Sequence, residues 1–378
     1  MSAALATGAP PPPPTLAARA GAALGLAAEW LIGLATVVAG LAALAAVPVA
    51  QVLSLGYMLA AAGRVAAGGR LADAAIGIRR AARVGTIAAG CWLGWLPVRL
   101  VAGLAASARW VDPGGPADRA WRLALPASAV LMLAHLAASC ARGGRLRHFA
   151  WPPGNLTWLG RRLRRGGLYA EARDATWDFV MGLRLGAYFR LGLLGFLGSM
   201  AWLAGPVTLL ILGRRAPALG LIGGAGLGLV AMLLPFLQVR FAVEGRFGAL
   251  FEVGAVRERF RRAPCAFAGA FLLTVLAAAP LHLLKVERVP PEVVGLASVL
   301  FVALLLPARV ACGWAYARAE RAPARRHWAW RGLARLGMLP AAAAYVLILF
   351  GTQYTSWGGA WSLYEQHAFL IPAPFLRP

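Results

Sequence analysis

The sequence is nearly devoid of lysine and poor in carboxylates. Of 38 basic residues only Lys285 is a lysine, and 14 Asp and Glu stand against them in 378 residues. A GC-rich coding sequence gives the same bias toward Arg, Ala, Gly and Pro, so the choice of arginine alone carries no message. Charge of any sign is scarce: 14% of residues are charged and 60% are apolar, which excludes an ordinary soluble domain of this length. The net charge of +24 does not point to nucleic acid either. A nucleic-acid binder gathers its charge on a soluble polar face, whereas these arginines cluster between long apolar runs.

Cysteine is limited to Cys91, Cys140, Cys265 and Cys312, with no C-x-x-C, and these read as small core residues rather than disulfide or metal partners. Missing too are G-x-S-x-G, H-E-x-x-H, a Walker loop and a dinucleotide fingerprint, so no catalytic residue, metal or cofactor is expected. The glycines of "GLIGGAGLGLV" fall in an apolar run, where small residues serve close helix packing. The first residues lack a basic stretch ahead of an apolar one, and the run of prolines after Ala9 interrupts any helix there. A cleavable signal peptide is therefore not expected, and residues 1–18 read as a disordered, proline-rich tail.

What the chain has in abundance is apolar length. Only helices or closed barrels satisfy their own backbone in lipid, and runs of about 20 residues without period-2 alternation favour helices. Eight are expected, near Ala28–Ala60, Thr86–Ser107, Ala120–Ala141, Phe189–Gly213, Ala218–Phe241, Ala266–Leu284, Val293–Tyr316 and Leu336–Thr355. The fold class is thus an all-α, polytopic membrane bundle, with residues 19–355 as its domain and 356–378 as an aromatic tail outside the cytoplasm. The first run is overlong and contains Pro48, so it should tilt or kink.

Alternate connectors, Ala61–Gly85, Arg142–Tyr188, Ala242–Cys265 and Ala317–Arg335, hold 25 of the 37 arginines. By the positive-inside rule they face the cytoplasm, which places both termini outside it, in a bacterial inner membrane. A second short span within residues 19–60 would instead put the N-terminal tail in the cytoplasm. Trp30, Trp110, Trp121, Trp357 and Trp361 fall at expected outer helix ends, and Trp314, Tyr316, Trp328 and Trp330 at inner ones. Trp92, Trp95 and Trp202 lie deeper and read as packing residues.

Two connectors resemble each other. Gly69–Arg83 places Leu71, Ala75, Ile78 and Ala82 at helical spacing with Arg79, Arg80 and Arg83 free to spread outward. Gly245–Pro264 repeats the plan with Arg257, Arg259, Arg261 and Arg262. Both are expected as surface helices drawn to anionic headgroups at about 1 kcal/mol per arginine, and an internal duplication is consistent with them. The run "RFAVEGRFGALFEVGAVRERFRRAP", and more loosely "GYMLAAAGRVAAGGRLADAAIGIRRAARVG", is similar to the connector of an uncharacterised family of bacterial polytopic membrane proteins. The resemblance covers roughly 25 residues. It implies a helical bundle with interfacial Gly-, Phe- and Arg-rich connectors, and no activity.

The longest connector joins a basic cluster, Arg161, Arg162, Arg164 and Arg165, to Glu171, Asp174 and Asp178, spaced so as to share one helix face. The stripe is expected to pair with arginines of neighbouring connectors. A divalent-cation or proton site is the sharper alternative. Asn155 in "NLT" matches a glycosylation acceptor but falls in an expected cytoplasmic loop.

Arginine also enters the spans. Arg99 in "WLPVRLVAG" and Arg309 in "LLPARVACG" each follow a proline by two residues. An arginine at a span's centre costs about 2.5–3.5 kcal/mol, but each stands within roughly 12 Å of a span end, so the expectation is that both snorkel to headgroups. Should the two arginines serve a pathway instead, Glu29 suits Arg99 as a partner, and Glu244 or Asp178 suits Arg309. His135 and His282, the latter near Lys285, read as buried neutral imidazoles held by backbone carbonyls, and His367 as part of a tail folded on the membrane surface. The reading is a structural or accessory membrane protein whose basic face contacts anionic lipid or a protein partner, with no nucleic acid. A secondary transporter or channel-like protein for a small solute, anionic solutes included, is the alternative, supported by Arg99, Arg309 and the prolines 48, 97, 206, 235 and 307.

Overall fold

The computed structural model describes residues 16–286, 294–356, 358–365 and 367. The described residues are helical or in turns, with no strand, and eight of the helical stretches are long and apolar enough to cross a membrane. The chain is an all-α, multi-pass membrane bundle. Of the proline-rich tail, residues 1–15 lie outside the described residues. The first helix already begins at Leu16, inside the expected tail.

The chain divides into two compact units: residues up to Thr36 with Gly77–Ala172, and Val37–Ile76 with Arg173 onward. Helix α1 (Leu16–Ala45) contributes to both. The single long first span expected over Ala28–Ala60 is two helices, α1 and α2 (Gln51–Gly68). Pro48 has no N–H to continue the ladder, and the chain turns there with Val49 at φ 68°.

In the first unit, α3 (Ile78–Val111) and α4 (Pro116–Ala141) form a helical hairpin, followed by a short α5 (Leu146–Phe149) and α6 (Pro152–Arg165); α7 (Leu168–Gly182) comes next and contributes to both units. The tight turn is pinned by Asp118, 1% exposed: its carboxylate accepts from the Gly114 N–H at 3.0 Å and from Arg122 at 2.6 Å, with Arg109 at 3.6 Å. Gly94 leaves room for the Leu136 side chain, and Gly90 for the ring of Phe149. The outer faces carry Leu100, Leu123, Leu131 and Trp92 in the open, which suits lipid and corrects the expectation that Trp92 packs between helices.

The second unit is built on α2, with α8 (Leu185–Leu212), α9 (Pro217–Glu244) and α12 (Val294–Arg321) packed around it and α11 (Pro264–Val286) and α13 (Trp328–Thr355) completing the bundle. Met58, Leu59, Ala61, Ala62 and Val65 of α2 are wholly buried. Small residues make this possible. A Cβ on Gly56 would stand 1.8 Å from the Tyr188 carbonyl oxygen, and one on Gly192 would stand 1.9 Å from that of Val52, so α2 and α8 touch backbone to backbone. Gly313 of α12 meets the Ala62 carbonyl in the same way, at 2.3 Å.

The two look-alike connectors share one backbone path. Helix α2 ends on Gly69 (φ 74°, ψ 7°) and α9 on Gly245 (φ 70°, ψ 4°), left-handed positions that favour glycine. Arg70 (φ −106°, ψ 135°) and Arg246 (φ −112°, ψ 135°) follow, then a 3-10 turn, Leu71–Ala74 or Phe247–Phe251. The paths leave through Ala75 (φ −78°, ψ 61°) and Glu252 (φ −82°, ψ 62°). They then part. The second continues as a separate amphipathic helix, α10 (Val253–Arg262), because Pro264 forces Ala263 out of helical geometry before α11 begins. The first has no such proline, so Arg79, Arg80 and Arg83 belong to the opening turns of α3 rather than to a surface helix of their own.

Candidate functional site

Arg309 carries a charge deep in the core of the second unit. Its side chain is 1% exposed on α12 and donates through Nη1 to Oε1 of Gln238 on α9; Gln238 donates through Nε2 to Ser199 Oγ at 2.6 Å, and Ser199 Oγ donates to the Gly195 carbonyl of α8 at 2.6 Å. Three helices are thereby joined by one polar line through an apolar core. Burying a guanidinium is costly unless its donors are met. The expected snorkelling of Arg309 is therefore corrected, as is its pairing with Glu244 or Asp178. Proximity to a span end did not decide the matter, because the neighbouring helices close over the side chain. Arg99, in the matching motif, is exposed on α3, and among the described residues no carboxylate pairs with it; Glu29 stands half-buried elsewhere on α1. The two copies of one motif thus occupy opposite environments.

In the second unit the basic residues are organised by four carboxylates. Arg240, near the C-terminal end of α9, bonds Glu252 through Nε at 2.6 Å, contacts Tyr316 Oη at 3.3 Å and Glu244 at 3.3 Å; Arg246 also binds Glu252. Arg259 lies over the Tyr316 ring at 4.6 Å and pairs with Glu320 at 2.5 Å. Glu258 gathers Arg325 at 2.9 Å and Arg261 and Arg262 at 3.6 Å each. The Arg240 and Arg246 guanidiniums hold the Glu252 carboxyl below its ordinary range, and Arg325 does the same for Glu258. Arg257 projects from α10 in the open. Arg321 donates to the Gly68 carbonyl at 2.8 Å, meeting an orphan acceptor at the C-terminus of α2.

In the first unit Asn155 is fully buried. Its amide donates to Ser139 Oγ at 2.7 Å and faces His135 Nδ1 at 3.2 Å, while its oxygen accepts from Arg142 at 2.6 Å. His135 is 2% exposed, with Nε2 3.1 Å from the Phe149 carbonyl. The cluster holds α4, α5 and α6 together and leaves Asn155 inaccessible to glycosylation. Beside it Arg83, Arg142, Arg145, His148 and Trp158 line a depression of about 520 Å³.

The carboxylate stripe does not form a site. Glu171 pairs with Arg162 of α6, Asp174 with its neighbour Arg173 at 2.9 Å, and Asp178 is exposed without an ion pair among the described residues. Among the described residues no three of His, Cys, Asp and Glu are gathered so as to hold a metal ion. Arg161, Arg164 and Arg165 are exposed. The cysteines are free thiols: Cys312 is buried, Cys265 is exposed against expectation, and Cys91 and Cys140 approach to 3.9 Å between α3 and α4.

At the other end of the second unit, His282 (4% exposed) lies 5.9 Å from the Tyr345 ring, and Tyr345 Oη is 2.8 Å from Nδ1 of His367. His367 is 2% exposed and Tyr364 Oη meets Thr208 Oγ1 at 2.5 Å, so this part of the tail enters the bundle instead of resting on a surface. Lys285 has its side chain, and Trp357 and residues 368–378 lie entirely, outside the described residues.

Reading the sequence missed Gln238, Ser199, Arg240 and Asn155. Gln238 carried a signal: it is an uncharged amide within "LLPFLQVRF", a place where a polar group needs a partner. No family model matches the chain, and neither a curated protein nor a solved structure matches it.

Proposed function

We propose that this multi-pass protein is a structural or accessory component of a bacterial inner membrane whose arginine-rich connectors face the cytoplasm and engage anionic lipid headgroups. The observation that carries the reading is the imbalance on α10 and the helix ends beside it: six arginines share four carboxylates there, and Arg257 adds a further charge. Excess guanidinium next to apolar spans is stabilised by lipid phosphate. Arg79, Arg80, Arg83, Arg161, Arg164 and Arg165 extend the same chemistry. In this orientation the C-terminal end lies outside the cytoplasm. Among the described residues ahead of Gly69, Ala23–Ala45 is the stretch long and apolar enough to cross, which supports a single crossing there and a proline-rich tail outside the cytoplasm as well.

Transport would call for Arg99 or Arg309 at a wet cavity. Arg309 is instead sealed in the core at 1% exposure. The test is thermal unfolding of the full-length protein in nanodiscs of phosphatidylcholine with and without phosphatidylglycerol. The anionic lipid should raise the midpoint, by an amount that shrinks as salt is added. Equal midpoints in the two lipids would sink the reading.

A further inference from the structure

Helices α9, α10, α11 and α13 enclose a groove of about 460 Å³, within the range of roughly 300–1,000 Å³ that suits a small-molecule ligand. Its floor is Phe236 and Phe267, stacked at 4.3 Å between centroids, with Phe260 edge-on to Phe267 at 6.1 Å. Met232 and Met338 complete it with flexible thioethers, which adapt to irregular apolar shapes. The lining changes character at one end, where Arg257, Arg261 and Arg335 stand over this apolar floor.

Those three charges are placed in a way that favours a bound anion. Arg257 and Arg261 are four residues apart on α10 and so share a face, an arrangement that repels. Arg335 comes from α13, with its guanidinium 5.7 Å from the Phe260 ring. Among the described residues no carboxylate pairs with Arg257 or Arg335, and Arg261 shares Glu258 with Arg262 and Arg325 at 3.6 Å or less. An apolar trough with a positive rim is complementary to an amphiphile of opposite sign. The side walls belong to membrane-crossing helices, and Leu229 and Leu339, about half exposed at its edge, open it toward the hydrocarbon.

We infer that this groove is a binding site for one anionic phospholipid, its acyl chain along Met232, Phe236 and Met338 and its phosphate between Arg257, Arg261 and Arg335. The inference rests on the lipid reading above and narrows it from a surface to a site. An acidic amphipathic peptide would match the charges too, but the opening through Leu229 and Leu339 gives direct access from the bilayer.

The test is native mass spectrometry of the detergent-solubilised full-length protein titrated with dioleoyl phosphatidylglycerol, with dioleoyl phosphatidylcholine as a neutral control of equal chain length. One phosphatidylglycerol should be retained in preference to phosphatidylcholine. Arg257→Gln with Arg335→Gln should weaken that first binding step by about fivefold per guanidinium removed and leave phosphatidylcholine unchanged. Leu339→Trp, which fills the groove without altering charge, should weaken both lipids, and glycerol phosphate, lacking a chain, should not compete. Unfolding midpoints of the variants establish that they fold. If the wild type prefers phosphatidylglycerol but the paired arginine variant and Leu339→Trp bind it equally well, this site is refuted while the broader reading stands. If the wild type takes up both lipids alike, both fail. Competition by glycerol phosphate, or displacement of lipid by an acidic amphipathic peptide at lower concentration, would also overturn the site.

Discussion

Arg309 on α12 donates to Gln238 on α9 in the middle of an apolar core, with Ser199 of α8 as the next link at 2.6 Å. Replacing both members of such a buried pair by apolar side chains costs less than removing one and stranding the other. Gln238→Leu strands donors that the amide now meets and should cost about 2–3 kcal/mol. Arg309→Met together with Gln238→Leu should recover most of that loss, because nothing charged is left buried. A double-mutant cycle read by denaturant or thermal unfolding in detergent checks it; equal and additive losses would show the two side chains to be independent.

The close crossing of α2 and α8 makes a sharper steric prediction. Gly56→Ala and Gly192→Ala each place a methyl within 2 Å of a carbonyl oxygen of the facing helix, so each should destabilise by roughly 1–3 kcal/mol or more. Gly103→Ala on α3, where a Cβ meets nothing within 4 Å, should be neutral or stabilise by up to about 1 kcal/mol through helix propensity. Unfolding midpoints of the three variants decide the matter, and a milder effect at Gly56 than at Gly103 would contradict the packing described.

Acid should loosen the connector network. Glu252 and Glu258 have their carboxyls held below the ordinary range by arginine, so they bind protons less readily folded than unfolded. The stability they confer is present above the ordinary carboxylate range and is lost as pH falls through it and on through the lowered folded values. The fall in unfolding midpoint between neutral pH and pH below the ordinary carboxylate range should be smaller in Glu252→Gln and Glu258→Gln than in the wild type.

Much of this architecture is legible in residue order, and the reasons are physical. Apolar runs of about 20 residues declare spans because lipid leaves a backbone few choices, and the expected run Ala218–Phe241 lies within α9. The break at Pro48 could be foreseen as a kink, but whether α2 is a helix of its own depended on Gly56, Gly192 and Gly313 meeting other helices, which only the folded packing reveals. Residues 69–83 looked like residues 245–264, and their backbones do match through the 3-10 turns. Pro264 then separates α10 where the first copy runs on.

Side-chain roles were harder to foresee. Arg99 and Arg309 sit in near-identical local sequence and cannot be told apart by it. What separates them is the set of helices packed around α12 and missing around that part of α3. Asn155 looked like a meaningless sequon and is the buried centre of the α4–α6 contact.

The proposed orientation puts the connectors rich in arginine on one side of the bilayer and the short turns on the other. Gly114 and Gly167 are suited to probe this, since each has positive φ and open space where a side chain would be. Compartment-specific reporters placed after Gly114 and after Gly167 in the full chain should report opposite faces, with Gly167 in the cytoplasm. Both reporters active in the same compartment would contradict the account.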